Sequence, residues 1–217
     1  MALPDLPLAD ARSDELVRFA VSPEPGRLDL ARVFDNGRDV ELEVGVGKGR
    51  FLLLAASAKP ATNFLGIEYV HACVEKTVDR LGKRNLSNVR VVHAEALSFI
   101  AERIPDASIA AVHVYFPDPW PKKRHHKRRF IRPAVLDELA RIMATGAPLR
   151  VVTDHAEYAE VIRDLVPGHG AFADTSDQVG VWDLPGMGDY TLAGVTNFEI
   201  KYRRQGRPIF KFVWRRR

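Results

Sequence analysis

At 217 residues, with 46% hydrophobic and 28% charged residues, the chain is long enough for one domain with a sizeable core and has an ordinary globular composition. No stretch approaches the roughly 18 to 20 apolar residues of a membrane span, and a single cysteine, Cys73, excludes an internal disulfide and a sulfur-based metal site. The net charge of +4 is mild, but the basic residues gather at 122–132 and 201–217, the footprint of a nucleic-acid surface.

The first 37 residues hold Pro4, Pro7, Pro23 and Pro25 and read as an arm, with one short helical possibility at 13–21. The opening MALPDLPLADARSDE lacks the charged start and apolar core of a signal peptide, so a cytoplasmic chain is expected. A domain over 38–217 follows. Strands are expected at 39–45, 63–68, 89–93, 109–116 and 149–153, alternating with helices at 49–58, 70–84, 96–103, 133–143 and 156–166. Val70, Val74, Thr77, Val78 and Leu81 show the helical spacing, and Pro133 suits a first helical turn. Such alternation implies an α/β fold: a mostly parallel sheet with helices on both faces and ligands at the carboxyl ends of the strands. Residues 168–194 read as loop, with five glycines between Gly168 and Gly188. Then 196–202 and 208–214 read as two strands of a C-terminal antiparallel hairpin turning at Gly206.

Carboxylates recur where the strands end: Glu43, Glu68, Glu95 and Asp118. Glu43 precedes GVGKG, whose Gly45, Gly47 and Gly49 let a ligand approach the backbone at a helix start. The spacing is not that of a dinucleotide fingerprint, and Lys48 lacks the neighbours of a phosphate-binding P-loop. Glu68 falls about twenty residues later, where an acid can bind ribose hydroxyls, or can sit favourably ahead of a helix. Glu95 serves equally well as a helix cap. Several acids around a nucleoside suit a cationic nucleoside cofactor better than a phosphorylated one. Glu41 interrupts an otherwise apolar strand without a reason visible in the sequence.

Residues 115–132, YFPDPWPKKRHHKRRFIR, combine one carboxylate, Asp118, with seven Lys or Arg among the last eleven. Pro117 and Pro119 hold Asp118 away from helical geometry. The cations beside it read as a phosphate-binding surface, with Lys122, Arg124, Lys127, Arg128 and Arg129 as contacts. Trp120 either stacks on a base or anchors the loop. His125 and His126 are adjacent and point apart, and with Cys73 expected on a buried helix face no metal site is expected.

The strings LEVGVGKG, LGIE and FPDPWPKKRHHKRR, with TDHAEYAE and TNFE further on, resemble the bacterial tRNA (guanine-N7)-methyltransferases. The match spans 39–199 in the family's order, and the FPDPW-plus-basic segment is the specific part. The resemblance implies a Rossmann-like fold, S-adenosylmethionine as cofactor, and methylation of a guanosine at position 46 in the variable loop of tRNA. It makes Glu43, Gly45, Gly47, Gly49, Glu68, Glu95 and Asp118 the cofactor positions, with Asp118 also catalytic. Lys122, Arg124, Arg128 and Asp154, with Thr196, Asn197, Phe198 and Glu199, become substrate positions. Two features depart from the family pattern: Glu95 stands where many members have Asp, and the C-terminal YRRQGRPIFKFVWRRR is unusually basic. A methyltransferase acting on another base, a catalytically silent RNA-binding protein and, more distantly, a NAD-dependent oxidoreductase are the alternatives. Monomer and homodimer both stay open.

Overall fold

The structure, a computed structural model, describes residues 17–20, 25–174 and 195–217. Most of the helical possibility at 13–21, and the 175–194 part of the expected loop, lie outside the described residues. In chain order the elements are α1 Leu30–Phe34, β1 Val40–Val44, α2 Arg50–Ala58, β2 Asn63–Glu68, α3 His71–Gly82, β3 Val89–His93, α4 Ala96–Arg103 and β4 Ile109–Tyr115. A 3-10 turn at Lys123–Arg128 precedes α5 Pro133–Ile142, β5 Pro148–Thr153, α6 Ala156–Gly168, β6 Phe172–Asp174, α7 Asn197–Arg204 and β7 Phe210–Arg216.

The strands form one sheet in the order β3-β2-β1-β4-β5-β7-β6. The first five in the chain run parallel, and β7 is antiparallel to both neighbours. The antiparallel C-terminal pairing is therefore present, made by β7 with β5 and β6. Its expected first strand is not: 196–202 is mostly α7. Phe198, Ile200 and Tyr202 alternate with Glu199 and Lys201, a pattern that also fits a strand. A helix start wins because Thr196 accepts a hydrogen bond from the Glu199 N–H, the T-x-x-E capping arrangement.

Two apolar layers cover the sheet. One gathers Phe34, Phe99, Ile100, Leu136, Leu139, Tyr158 and Ile162 from α1, α4, α5 and α6. The other gathers Phe51, Leu52, Leu54, Val74, Val78 and Leu81 from α2 and α3. Burial on both faces explains why β1 is buried at every position. Parts of the expected arm dock on this body: Phe34 is 3% exposed, and the Phe19 N–H donates to Val91 at the β3 edge. The strand order reverses between β1 and β4, so their carboxyl ends open a crevice. At its floor Gly49 has φ +67, and a Cβ there would meet Thr77 Cγ2 at 2.5 Å. Thr77 in turn donates to the Gly47 carbonyl at 2.9 Å, so α3 props the glycine turn.

Candidate active site

After β4 the backbone turns sharply around Asp118. Phe116 has φ +54 and Trp120 φ +43, the left-handed region that costs a bulky residue roughly 1 kcal/mol or more. Both are held from outside. The Phe116 N–H donates to Val152 at 2.7 Å, and its ring meets Tyr202 at 5.5 Å and Phe198 at 6.1 Å. Trp120 packs edge-on against His125, and the Arg128 guanidinium lies 4.9 Å over it. Prolines preset Asp118 as the sequence suggests, and these contacts fix the turn on either side. Asp118 itself is exposed.

The basic run divides into two kinds of cation. Lys122, Arg124, Lys127 and Arg128 are exposed. Arg129, expected among the phosphate contacts, is 3% exposed and cannot reach a phosphate. It donates to the Pro119 carbonyl at 2.8 Å, pairs with Glu157 and lies 4.6 Å over the Tyr158 ring. Its charge fastens the Asp118 turn to α6.

The four strand-end acids fall around two cavities that share Gly45. One, of about 390 Å³, is lined by Glu68, Glu95, Asp118, Trp120 and Arg128. Glu68 accepts from the Gly47 N–H at 2.9 Å and the Val70 N–H at 2.8 Å, and each oxygen keeps a second lone pair. Glu95 caps α4 through Leu97, Ser98 and the Ser98 hydroxyl. Partial burial pushes its pKa up, but the Ser98 and Leu97 bonds outweigh that and hold it below the usual range. The second cavity, of about 340 Å³, is lined by Glu43, Gly47, Lys48, Tyr115, Asn197 and Phe198. Cys73, expected buried, is only partly so and lines the same space. Glu43 is 3% exposed, and its Oε2 has no hydrogen-bond partner. Burial first, then repulsion from Glu68, pushes its pKa well above the ordinary value.

Among the substrate positions, Asp154 at the end of β5 pairs with Arg207 at 2.9 Å. Asn197 is exposed and Phe198 48% exposed, stacked on Tyr202 at 5.8 Å. Thr196 is buried as the α7 cap. Glu199 is fully buried, accepting from Val195 N–H, Arg203 and Lys211. It therefore holds α7 onto β7 and presents no free carboxylate at the surface.

Glu41 finds its reason in partners far along the chain. Its Oε2 lies 2.9 Å from His113 Nε2, and its other oxygen pairs with Lys59. Burial opposes ionisation, yet His113 and Lys59 together bring the Glu41 pKa down to about 2. Burial pushes the His113 pKa down despite Glu41, so the neutral ring donates from Nε2 to Glu41 and accepts at Nδ1 from the Tyr115 hydroxyl at 2.8 Å.

Comparison with known proteins gives the family of the chain. Residues 38–212 match the family model Methyltransf_4, described as "Putative methyltransferase". The tRNA (guanine-N(7)-)-methyltransferase of Nitrosococcus oceani is 34% identical, over 92% of this chain and 80% of that protein. The same-named protein of Alkalilimnicola ehrlichii is 37% identical, over 88% and 78%. The chain belongs to the tRNA (guanine-N7)-methyltransferase family. Its fold is shared more widely among methyltransferases. A 30S ribosomal A1408 methyltransferase from an uncultured bacterium superposes with TM-score 0.58 at 13% identity, covering 87% of this chain and 93% of that one. The 16S rRNA methyltransferase KamB superposes with TM-score 0.56 at 18% identity, covering 88% and 94%.

Tyr115, Tyr202 and Arg207 line or brace the site without having been singled out from the sequence. Their roles depend on contacts with segments distant in the chain. Among the described residues no cluster of metal-ligating groups forms, and no helix is long and apolar enough to cross a membrane.

Proposed function

We propose that this chain transfers the methyl group of S-adenosylmethionine to N7 of a guanosine in tRNA, at position 46 of the variable loop. The observation that carries the reading is the meeting, at Asp118, of an acid-lined nucleoside-sized cavity with a run of exposed cations. The cofactor fits the donors present. Glu68 offers spare lone pairs to ribose hydroxyls, Glu95 and Asp118 line the same cavity, and the orphaned Glu43 Oε2 suits an ammonium group. Bound there, S-adenosylmethionine supplies an electrophilic methyl on a positively charged sulfur.

Guanine N7 already carries an in-plane lone pair, so no base is needed to unmask it. The protein's part is alignment, worth up to ~7–11 kcal/mol in well-oriented systems. Asp118 accepts from the guanine N1–H and N2–H groups and favours the positive charge that develops on the ring. Lys122, Arg124 and Arg128 hold phosphates. Asn197 and Phe198 offer the exposed face of α7 to the RNA, Thr196 and Glu199 keep that helix start in place, and Asp154 completes the substrate side.

Incubation with radiolabelled S-adenosylmethionine and unmodified tRNA, followed by nucleoside analysis, tests the reading. Label in 7-methylguanosine, lost in Asp118→Ala, is expected. Label in another nucleoside would keep the cofactor and overturn the base. Binding of cofactor and tRNA without label would favour a silent RNA-binding protein.

A further inference from the structure

One cation of the basic C-terminal segment is placed differently from its neighbours. Gly206, at φ +65, reverses the chain after α7, and the Arg207 N–H donates to the Tyr202 carbonyl at 3.0 Å. The Arg207 guanidinium then lies 4.4 Å over the Tyr202 ring and pairs with Asp154 at 2.9 Å. Among the described residues no other side chain pairs with that carboxylate, which is 13% exposed. Tyr202 in turn stacks on Phe198, with the rings at 29°, and meets Phe116 at 5.5 Å. Phe116 opens the turn that carries Asp118. A single guanidinium thus ties the end of β5 to the start of α7 and, through two rings, to the turn after β4. A phosphate contact would project from the surface without an acid beside it. Here Asp154 occupies the guanidinium and would repel an approaching phosphate.

We propose that Arg207 is a positioning residue for methyl transfer: paired with Asp154, it holds Tyr202 and Phe198 in register with the Asp118 turn, so that the target guanosine meets the methyl group in one orientation. The inference rests on the proposed tRNA substrate and on Asp118, Asp154 and Phe198 as its contacts. Arg207 acts through other side chains, so it contributes to alignment rather than to the hold on RNA. A lysine would keep the ion pair and lose the flat face against Tyr202.

Steady-state kinetics of tRNA methylation, with tRNA binding followed over a range of salt, test it. Arg207→Gln is expected to lower kcat roughly ten- to a hundredfold, the scale on which small displacements of aligned reactants act. The KM for tRNA should stay within about twofold and the salt slope unchanged. Arg207→Lys should recover part of kcat. Asp154→Asn combined with Arg207→Gln should lose no more than the worse single change, because the two side chains act as one unit. A raised KM and a flatter salt slope with kcat kept would overturn the proposal and make Arg207 a phosphate contact. So would additive losses in the pair, or weakened binding of S-adenosylhomocysteine together with a lowered melting temperature, which would report general damage. Absence of 7-methylguanosine from the product of the unaltered protein would instead sink the proposed function, and this role with it.

Discussion

Glu43 shows how a single residue can work against the fold that carries it. Its carboxyl is 3% exposed, has one oxygen without a partner and faces the charge of Glu68. The folded pKa is thereby raised above the unfolded one, so the folded state binds more protons. Stability then falls as pH rises from the ordinary carboxylate value toward the raised one. Glu43→Gln removes that penalty while keeping the shape. Thermal unfolding should show the variant more stable than the parent at about pH 8, with the gap closing toward about pH 4. An equal or lower melting temperature at about pH 8 would contradict the account. The same variant should bind S-adenosylhomocysteine more weakly, the exchange of stability for function that a strained site implies. Glu41, two residues earlier on the same strand, is the opposite case. His113 and Lys59 surround it, and its charge supports the folded state above about pH 4.5, a support lost as pH falls toward its folded value of about 2.

At the scale of elements, the segment after β4 combines a fixed turn with an exposed charge run, and Arg129 joins the two. An exposed arginine lost from an RNA surface weakens binding and reduces its salt dependence by about one unit of slope per phosphate contact. A buried arginine that ties Pro119 to Glu157 should act otherwise. Arg129→Ala should lower kcat and stability, with the salt slope of tRNA binding unchanged. Arg124→Ala should flatten that slope and leave the melting temperature alone. A reduced slope in Arg129→Ala would return it to the phosphate contacts. Sequence reading reached the five parallel strands and their helices, because doubly covered strands are continuous apolar runs and their helices keep a clear period. It placed the strand-end acids for the same reason. It misread 196–202, where two periodicities competed and the Thr196–Glu199 cap decided. It left Glu41 unexplained, since His113 lies 72 residues away. It grouped Arg129 with its neighbours because burial is a property of the fold, not of the run.

Across the whole molecule, the direction of β7 splits the C-terminal charge. β7 runs against β5, with Phe210 beside Thr153 and Arg215 beside Pro148. Lys201, Arg203, Arg204 and Arg207 therefore come just before β7 at the carboxyl ends of the parallel strands, where Asp118 and Asp154 lie. Arg215 and Arg217 leave at the opposite end, where Arg215 donates to the Gly146 carbonyl and the Arg217 N–H to Ala171. A sequence-wide count of basic residues merges these two groups, yet they are separated by the length of a strand of about six residues, roughly 20 Å. Screening at physiological ionic strength acts over about 8 Å, so the far group contributes little to RNA held at the site. The paired change Arg215→Gln with Arg217→Gln should leave the KM for tRNA and its salt slope within about twofold of the parent, while Lys122→Gln with Arg124→Gln raises KM roughly tenfold or more at moderate salt. Comparable losses in both pairs would mean that the RNA wraps past the edge of the sheet, and the binding surface would then extend along β7 to its end.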